Sequence, residues 1–253
     1  MPYTSIFEER TFYRQNHRLE TGLKTLLFIH GAGGNGGHWI YQLAGIKGYN
    51  LIALDLPGHG RSEGSAADSI TAYREFVWQF TQVLNLKNII VVGHSMGGAI
   101  ALDLTLKYPE FCMGLVIVDS GARLRVNPAL LELLAKGEQP VETIKFCYSK
   151  KVSSDLLAKA NQEMKKVPSH VFLADFRACD TFDIVDHVKS IQHPTLIICG
   201  QEDRMTPPKY SEYLVKNLPQ SNLAYISDAG HMTMLEQPHQ VNKAILSFLT
   251  QSF

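Results

Sequence analysis

Ser95, Asp203 and His231 are the residues of this sequence whose types and spacing could together carry out covalent chemistry. Ser95 stands among glycines in Gly93-His94-Ser95-Met96-Gly97, Asp203 follows the run TLIICG, and His231 follows the run NLAYIS in Asp228-Ala229-Gly230-His231. A serine hydroxyl is a poor nucleophile at neutral pH and needs a base within hydrogen-bond reach, a task that suits the proton affinity of an imidazole. That base needs a carboxylate on its other nitrogen to fix the tautomer and stabilise the imidazolium. Such a trio would attack a carbonyl carbon and pass through an acyl intermediate. Asp119, at the end of the run GLVIVD, is the rival acid. Read singly, His231 could be an ordinary loop residue, and Asp203 could cap a helix beginning near Pro207-Pro208.

The tetrahedral intermediate of acyl transfer carries an oxyanion, which calls for preorganised N–H donors. Two backbone donors are expected: Met96, just past the serine at the start of its helix, and Ala32, in the loop HGAGGNGGHW. In the same loop His38 and Trp39 either line a pocket or pack locally. Arg123 and Arg125 could clamp a substrate carboxylate or be solvated surface residues. Gly31 to Gly36 also fits G-x-G-x-x-G after a strand, with Asp55 at about the spacing of a dinucleotide fingerprint. That alternative leaves the serine, acid and histidine unexplained, and only a short, weak helix pattern follows Gly36. No cofactor is therefore expected. No metal-ligand spacing such as H-E-x-x-H occurs, so hydrolysis is expected to need no metal.

These residues need elements to hold them. TLLFIH (25–30), NLIALD (50–55), NIIVVG (88–93), GLVIVD (114–119) and TLIICG (195–200) are short apolar runs that each end at a polar or glycine residue. They are the pattern of parallel strands buried on both faces. Between most of them lie helix-period segments, such as the one that repeats Ile70, Tyr73, Phe76, Val77, Phe80 and Leu84. The alternation predicts a mostly parallel, doubly wound α/β sheet with helices on both faces. Ser95 then falls at a strand-to-helix corner, with a helix expected to stop near Pro109. From about 121 to 187 the alternation ceases, and successive helix-like pieces over 127–137, 139–150 and 154–167 suggest a helical cap.

The chain has 253 residues, with 24 Lys and Arg against 24 Asp and Glu. That length with no linker-like or low-complexity stretch suggests one domain over 1–253. The charge balance gives nothing to attract nucleic acid or anionic lipid, so a small-molecule partner is expected. No apolar run is long enough to span a membrane, and the charged start MPYTSIFEERTFYRQ does not read as a secretion signal. A cytoplasmic protein is the expectation. The four cysteines lack C-x-x-C pairing and are expected as buried free thiols. Oligomeric state is not legible.

In combination, HGAGG, DLPGHGRS, GHSMGG, GQEDRMTP and DAGHMTMLEQP make the chain resemble the α/β-hydrolase superfamily over essentially its full length. It has the look of a small capped carboxylesterase or monoglyceride-lipase-like member. The resemblance implies the α/β-hydrolase fold, Ser95 as nucleophile, Asp203 as acid, His231 as base, Ala32 and Met96 as the oxyanion hole, and Asp55 and His59 as scaffold. Serine at the elbow argues against the dehalogenase and epoxide-hydrolase branches, which carry aspartate there, and against the dienelactone branch, which carries cysteine. The expected activity is cleavage of small carboxylic esters through an acyl-enzyme. The alternatives are a ligand-sensing module with slow turnover, or a carbon–carbon hydrolase or lyase acting on a carboxylated metabolite.

Overall fold

The five continuously apolar runs become five central strands buried on both faces, because an all-apolar strand is stable only when both sides are covered. The computed structural model describes residues 2–253. Its strands are β1 (Tyr3–Ile6), β2 (Glu9–Gln15), β3 (Thr25–Ile29), β4 (Asn50–Leu54), β5 (Ile89–His94), β6 (Cys112–Val118), β7 (Thr195–Gly200) and β8 (Ser221–Ile226). They form one sheet in the order β1-β2-β4-β3-β5-β6-β7-β8. From β4 through β8 all neighbours pair in parallel, whereas β1–β2 and β2–β4 are antiparallel.

Side chains alternate across each strand and so feed two separate layers. Leu27 and Ile29 of β3 join a layer beneath α2 (Ile70–Val83) and α3 (Met96–Lys107), after α1 (Ile40–Gly45) has crossed to the other face. Leu26 and Phe28 point the opposite way, into a layer with Leu43 of α1 and with Val241 and Ile245 near the carboxyl terminus. Ser69 caps α2, its hydroxyl accepting from the Ala72 N–H at 3.3 Å, and the predicted stripe Ile70, Tyr73, Phe76, Val77 and Phe80 is buried. The helix after Ser95 ends at Lys107, two residues before Pro109, as the proline requires.

Between β6 and β7 the chain forms α4 (Pro128–Ala135), α5 (Ile144–Cys147), α6 (Ser154–Lys166) and α7 (Ser169–Thr181), with no strand among these described residues. Helices α8 (Lys209–Asn217), α9 (Thr233–Glu236) and α10 (Pro238–Ser252) complete the chain.

Two features depart from the sequence reading. The amino-terminal pair β1–β2 is not anticipated. Its turn residues Phe7 and Glu8 take φ of 50° and 70°, a conformation that hairpins ordinarily signal with Gly or Asn. Helix α7 is also not anticipated as a separate element, because its buried stripe Val171, Phe172, Asp175, Ala178, Cys179 includes an acid where an apolar residue would mark the period. All four cysteines are free; three are buried, and Cys147 is partly so.

Candidate active site

Ser95 sits between β5 and α3 with φ 52° and ψ −117°, a backbone region that side chains other than glycine rarely occupy. Its surroundings over-determine that conformation. The Ser95 N–H donates to the Val118 carbonyl at 3.0 Å, and the Ser120 hydroxyl donates to the Ser95 carbonyl at 2.7 Å. The turn closes tightly because Gly93 and Gly97 carry no side chain: a Cβ on Gly93 would strike the Gly97 carbonyl, and one on Gly97 would strike the Ile29 carbonyl. Met96 is the first residue of α3, so its N–H has no carbonyl partner within the helix.

The loops after β7 and β8 bring the acid and the imidazole together. His231 Nδ1 lies 2.9 Å from Asp203 Oδ2, with the two residues 6% and 3% exposed. Thr206 donates its hydroxyl to the same oxygen at 2.7 Å, while the N–H groups of Met205 and Thr206 donate to Oδ1 at 2.8 and 3.0 Å. Asp203 therefore organises its own loop and does not cap α8, which begins six residues later without a side-chain cap. Burial pushes the Asp203 carboxyl up, but the His231 charge and the hydrogen bonds from His231 and Thr206 outweigh it and hold the group below its ordinary value. For His231 burial acts to lower the value, yet the Asp203 charge and hydrogen bond raise it above that of an ordinary histidine. His94 donates from Nε2 to the His231 carbonyl at 2.8 Å and so fixes the backbone that carries the imidazole.

Asp119, the rival acid, is fully buried and accepts the Gly200 N–H at 2.8 Å. Burial first, and the nearby Asp203 charge second, hold its carboxyl well above the usual range.

Ser95 and His231 open onto a cavity of about 760 Å³, which Ala32 and His38 also line. The opposing wall comes from the β6–β7 insertion and is largely apolar, with Ile144, Leu156, Met164, Phe172 and Phe176. Burial lowers the His38 imidazole to about 4, so it faces this cavity uncharged. A concavity of about 890 Å³ between α1 and α10 holds none of the candidate residues.

Two expected pocket residues lie elsewhere. Trp39 is fully buried in the core, its ring 5.0 Å from that of Phe28, because its neighbour Ile40 starts α1 and turns the indole under the sheet. Arg123 is half exposed and paired with Asp183, Nε to Oδ2 at 2.6 Å, and Arg125 shares the same carboxylate at 3.6 Å. An isolated bridge between residues 123 and 183 ties this pair to the outer rim of the insertion, away from the cavity. The glycine loop offers no ribose-binding acid either. Asp55 is fully buried, and its two oxygens accept the Gly36 N–H at 2.7 Å and the Arg61 N–H at 2.9 Å. Among the described residues no group of three or more His, Cys, Asp or Glu is placed to hold a metal ion.

The cavity wall on α5, α6 and α7 was not legible from motifs. Its only sequence signal is the pair Phe172 and Phe176, one helical turn apart and stacked with centroids at 6.2 Å.

A sheet of this order, a serine in a strained turn after a central strand, and a carboxylate–imidazole pair at the ends of later strands define a hydrolase architecture. Residues 26–244 match the profile of the alpha/beta hydrolase family, and the chain belongs to that family. It superimposes on the solved structure of a thermophilic esterase with a TM-score of 0.87 and 32% identity, covering 99% of this chain and 97% of the other. Est816, described as an N-acyl homoserine lactone degrading enzyme, matches at a TM-score of 0.86 and 27% identity, over 98% of this chain and all of its own. A relative from Agrobacterium fabrum, named RutD and provisionally assigned to carbamate hydrolysis, is 25% identical over 252 residues, covering 92% of this chain and 95% of its own. Among the described residues no helix is long and apolar enough to cross a membrane.

Proposed function

We propose that this protein is a serine hydrolase that cleaves small carboxylic esters through an acyl-enzyme. The observation that carries the reading is the His231–Asp203 hydrogen bond of 2.9 Å, on the same cavity as a serine held at φ 52°. Ser95 attacks the carbonyl carbon while His231 takes its proton; Asp203 holds the imidazole tautomer and stabilises the imidazolium. The N–H groups of Ala32 and Met96 receive the developing oxyanion. His231 then returns the proton to the leaving alcohol, and water enters by the same route in reverse. The helices between 121 and 187 act as the cap, and their apolar wall favours an apolar acyl or alcohol group. Arg123, paired with Asp183, supplies no clamp to the cavity, whereas Arg14 lines it and keeps the carboxylated-metabolite chemistry as a second reading.

Hydrolysis of p-nitrophenyl acyl esters from acetate to laurate, with Ser95→Ala run beside the wild type, tests this reading. Serine-dependent turnover supports it, and the best chain length reports the depth of the acyl pocket. The likeness to the esterase favours esters, and the likeness to RutD adds carbamates to the panel. Silence of the folded protein across that panel overturns the reading in favour of the ligand-sensing module or the carboxylated-metabolite chemistry.

A further inference from the structure

Asp175 of α7 is a fully buried carboxylate far from Ser95 in sequence, and the hydrolytic steps above make no use of it. Its three partners come from three different parts of the chain. Oδ2 accepts the Gly33 N–H at 2.7 Å and lies 2.8 Å from His59 Nε2; Oδ1 accepts the Tyr73 hydroxyl at 2.5 Å. All three contacts suit an anion, since each partner donates.

The geometry at His59 fits a cation. Its Nδ1 lies 2.9 Å from the Pro57 carbonyl, which can only accept, and its Nε2 meets the carboxylate. With Asp175 ionised both ring nitrogens donate, and His59 is then an imidazolium paired with it, in keeping with the upward shift that the Asp175 charge gives the imidazole. Its other titratable neighbours are Tyr73, Asp55 and His30. His30 is neutral, since Nε2 accepts the Leu56 N–H at 3.1 Å while Nδ1 donates to the Gly31 carbonyl at 2.8 Å.

What Asp175 holds is the centre of a tight turn. The Gly34 N–H donates to the Gly31 carbonyl at 3.0 Å, which makes Ala32 and Gly33 the two central residues, and Gly33 has φ +62°. With Ala32 outside the left-handed region this is a type II turn, whose central peptide is flipped relative to type I. The Gly33 N–H belongs to that peptide. A bond from it to a buried anion selects one flip, and the Phe172 ring, one helical turn before Asp175, closes over Gly33 where a Cβ would stand.

We infer that Asp175, as the anion of a buried ion pair with His59, is a positioning residue for the turn that presents the Ala32 N–H to substrate. This rests on the reading of Ala32 as an oxyanion donor. Through it the insertion does more than wall the pocket: α7 sets the geometry of the carbonyl-oxygen site.

The test compares wild type with Asp175→Leu, which removes the acceptor, and Asp175→Asn, which keeps an oxygen for Gly33 but loses the charge. Steady-state hydrolysis of p-nitrophenyl butyrate is measured with affinity for a trifluoromethyl ketone, which forms a tetrahedral adduct, and with Gly33 amide exchange. In Asp175→Leu we expect kcat to fall roughly 10- to 100-fold with KM changed less than about twofold, the pattern of a contact made only in the transition state. Ketone affinity should fall in parallel, and Gly33 exchange should quicken. Asp175→Asn should lose roughly 3- to 10-fold in kcat with the same split, and it decides the matter if the leucine variant does not fold. A folded variant that melts earlier but keeps both kcat and Gly33 protection makes Asp175 a strut only and overturns the inference. If wild type shows no Ser95-dependent turnover, the ester-hydrolase reading fails by itself. Gly33 exchange then still decides whether Asp175 anchors the turn.

Discussion

Asp119 and Asp203 leave the ends of neighbouring strands, β6 and β7, and of the two it is Asp203 that hydrogen-bonds His231. Asp203 keeps its charge because a hydroxyl, two backbone N–H groups and the imidazole all donate to it or neutralise it. Asp119 has one backbone donor and sits beside that charge, so its carboxyl is pushed up while that of Asp203 is held down. Asp203→Asn should therefore lower kcat by about 10⁴-fold by favouring the wrong imidazole tautomer. Asp119→Asn should retain most activity, and the reverse ranking in steady-state assays would reassign the acid.

Replacing Ser95 with alanine should reduce kcat by roughly 10⁴- to 10⁶-fold. Circular dichroism and melting should change little, since the new side chain is smaller and the strained backbone is held by Val118 and Ser120. A loss of less than tenfold in esterase assays would remove Ser95 from the mechanism.

In the proposed mechanism His231 must be neutral to accept the serine proton. The His231 value is raised above the ordinary one of about 6.5 by Asp203, so the unprotonated fraction grows only above that pH. The kcat/KM profile should fall on the acid side with an apparent pKa above 6.5, and Asp203→Asn should move that limb to lower pH. An acid limb below 6 in wild type would contradict the pairing.

Gly93→Ala tests the elbow's packing. The added methyl meets the Gly97 carbonyl, so strand and helix must separate, at a cost of about 1–3 kcal/mol in unfolding free energy. Urea titration would measure it, and activity should fall with it because Ser95 moves. A neutral result would mean the corner has slack that the contact geometry denies.

The His59–Asp175 pair predicts a pH-dependent stability. Both side chains are essentially unexposed, and the Asp175 charge and hydrogen bond raise the His59 value despite the opposing effect of burial. A raised folded value means the contribution is fully present below about pH 6.5 and is lost as pH rises through the higher folded value. His59→Leu leaves a buried carboxylate without its counter-charge and should cost about 3–5 kcal/mol at pH 6. The gap from wild type should narrow in alkaline buffer, and a gap independent of pH would show that His59 is uncharged in the native state.

Much of the site could be read along the chain because each part lies in a local motif with its own physical constraint. Ser95 needs glycines at 93 and 97, Met96 needs only to start a helix, and His231 and Asp203 follow apolar runs whose burial places their ends at one edge of the sheet. The pocket was less legible. His38 reaches the cavity, yet Trp39 beside it is core, because successive residues of this helical turn are rotated by about a third of a turn and so meet different surroundings. Arg123 offers the right chemistry for a clamp and spends it on Asp183, sixty residues away.

What the sequence determined by itself is the central parallel strands, the corner that strains Ser95, and the placing of Asp203 and His231 just past later strands. These depend on runs of a few residues: continuous apolar strands, a glycine beside a helix start, a proline that ends it. Tertiary structure decided which carboxylate meets His231, what lines the cavity, and that Asp175 joins the insertion to the Ala32 turn. Those outcomes depend on burial and on partners 28, 116 and 142 residues apart, where the energy of a charge is set by neighbours that no local pattern contains.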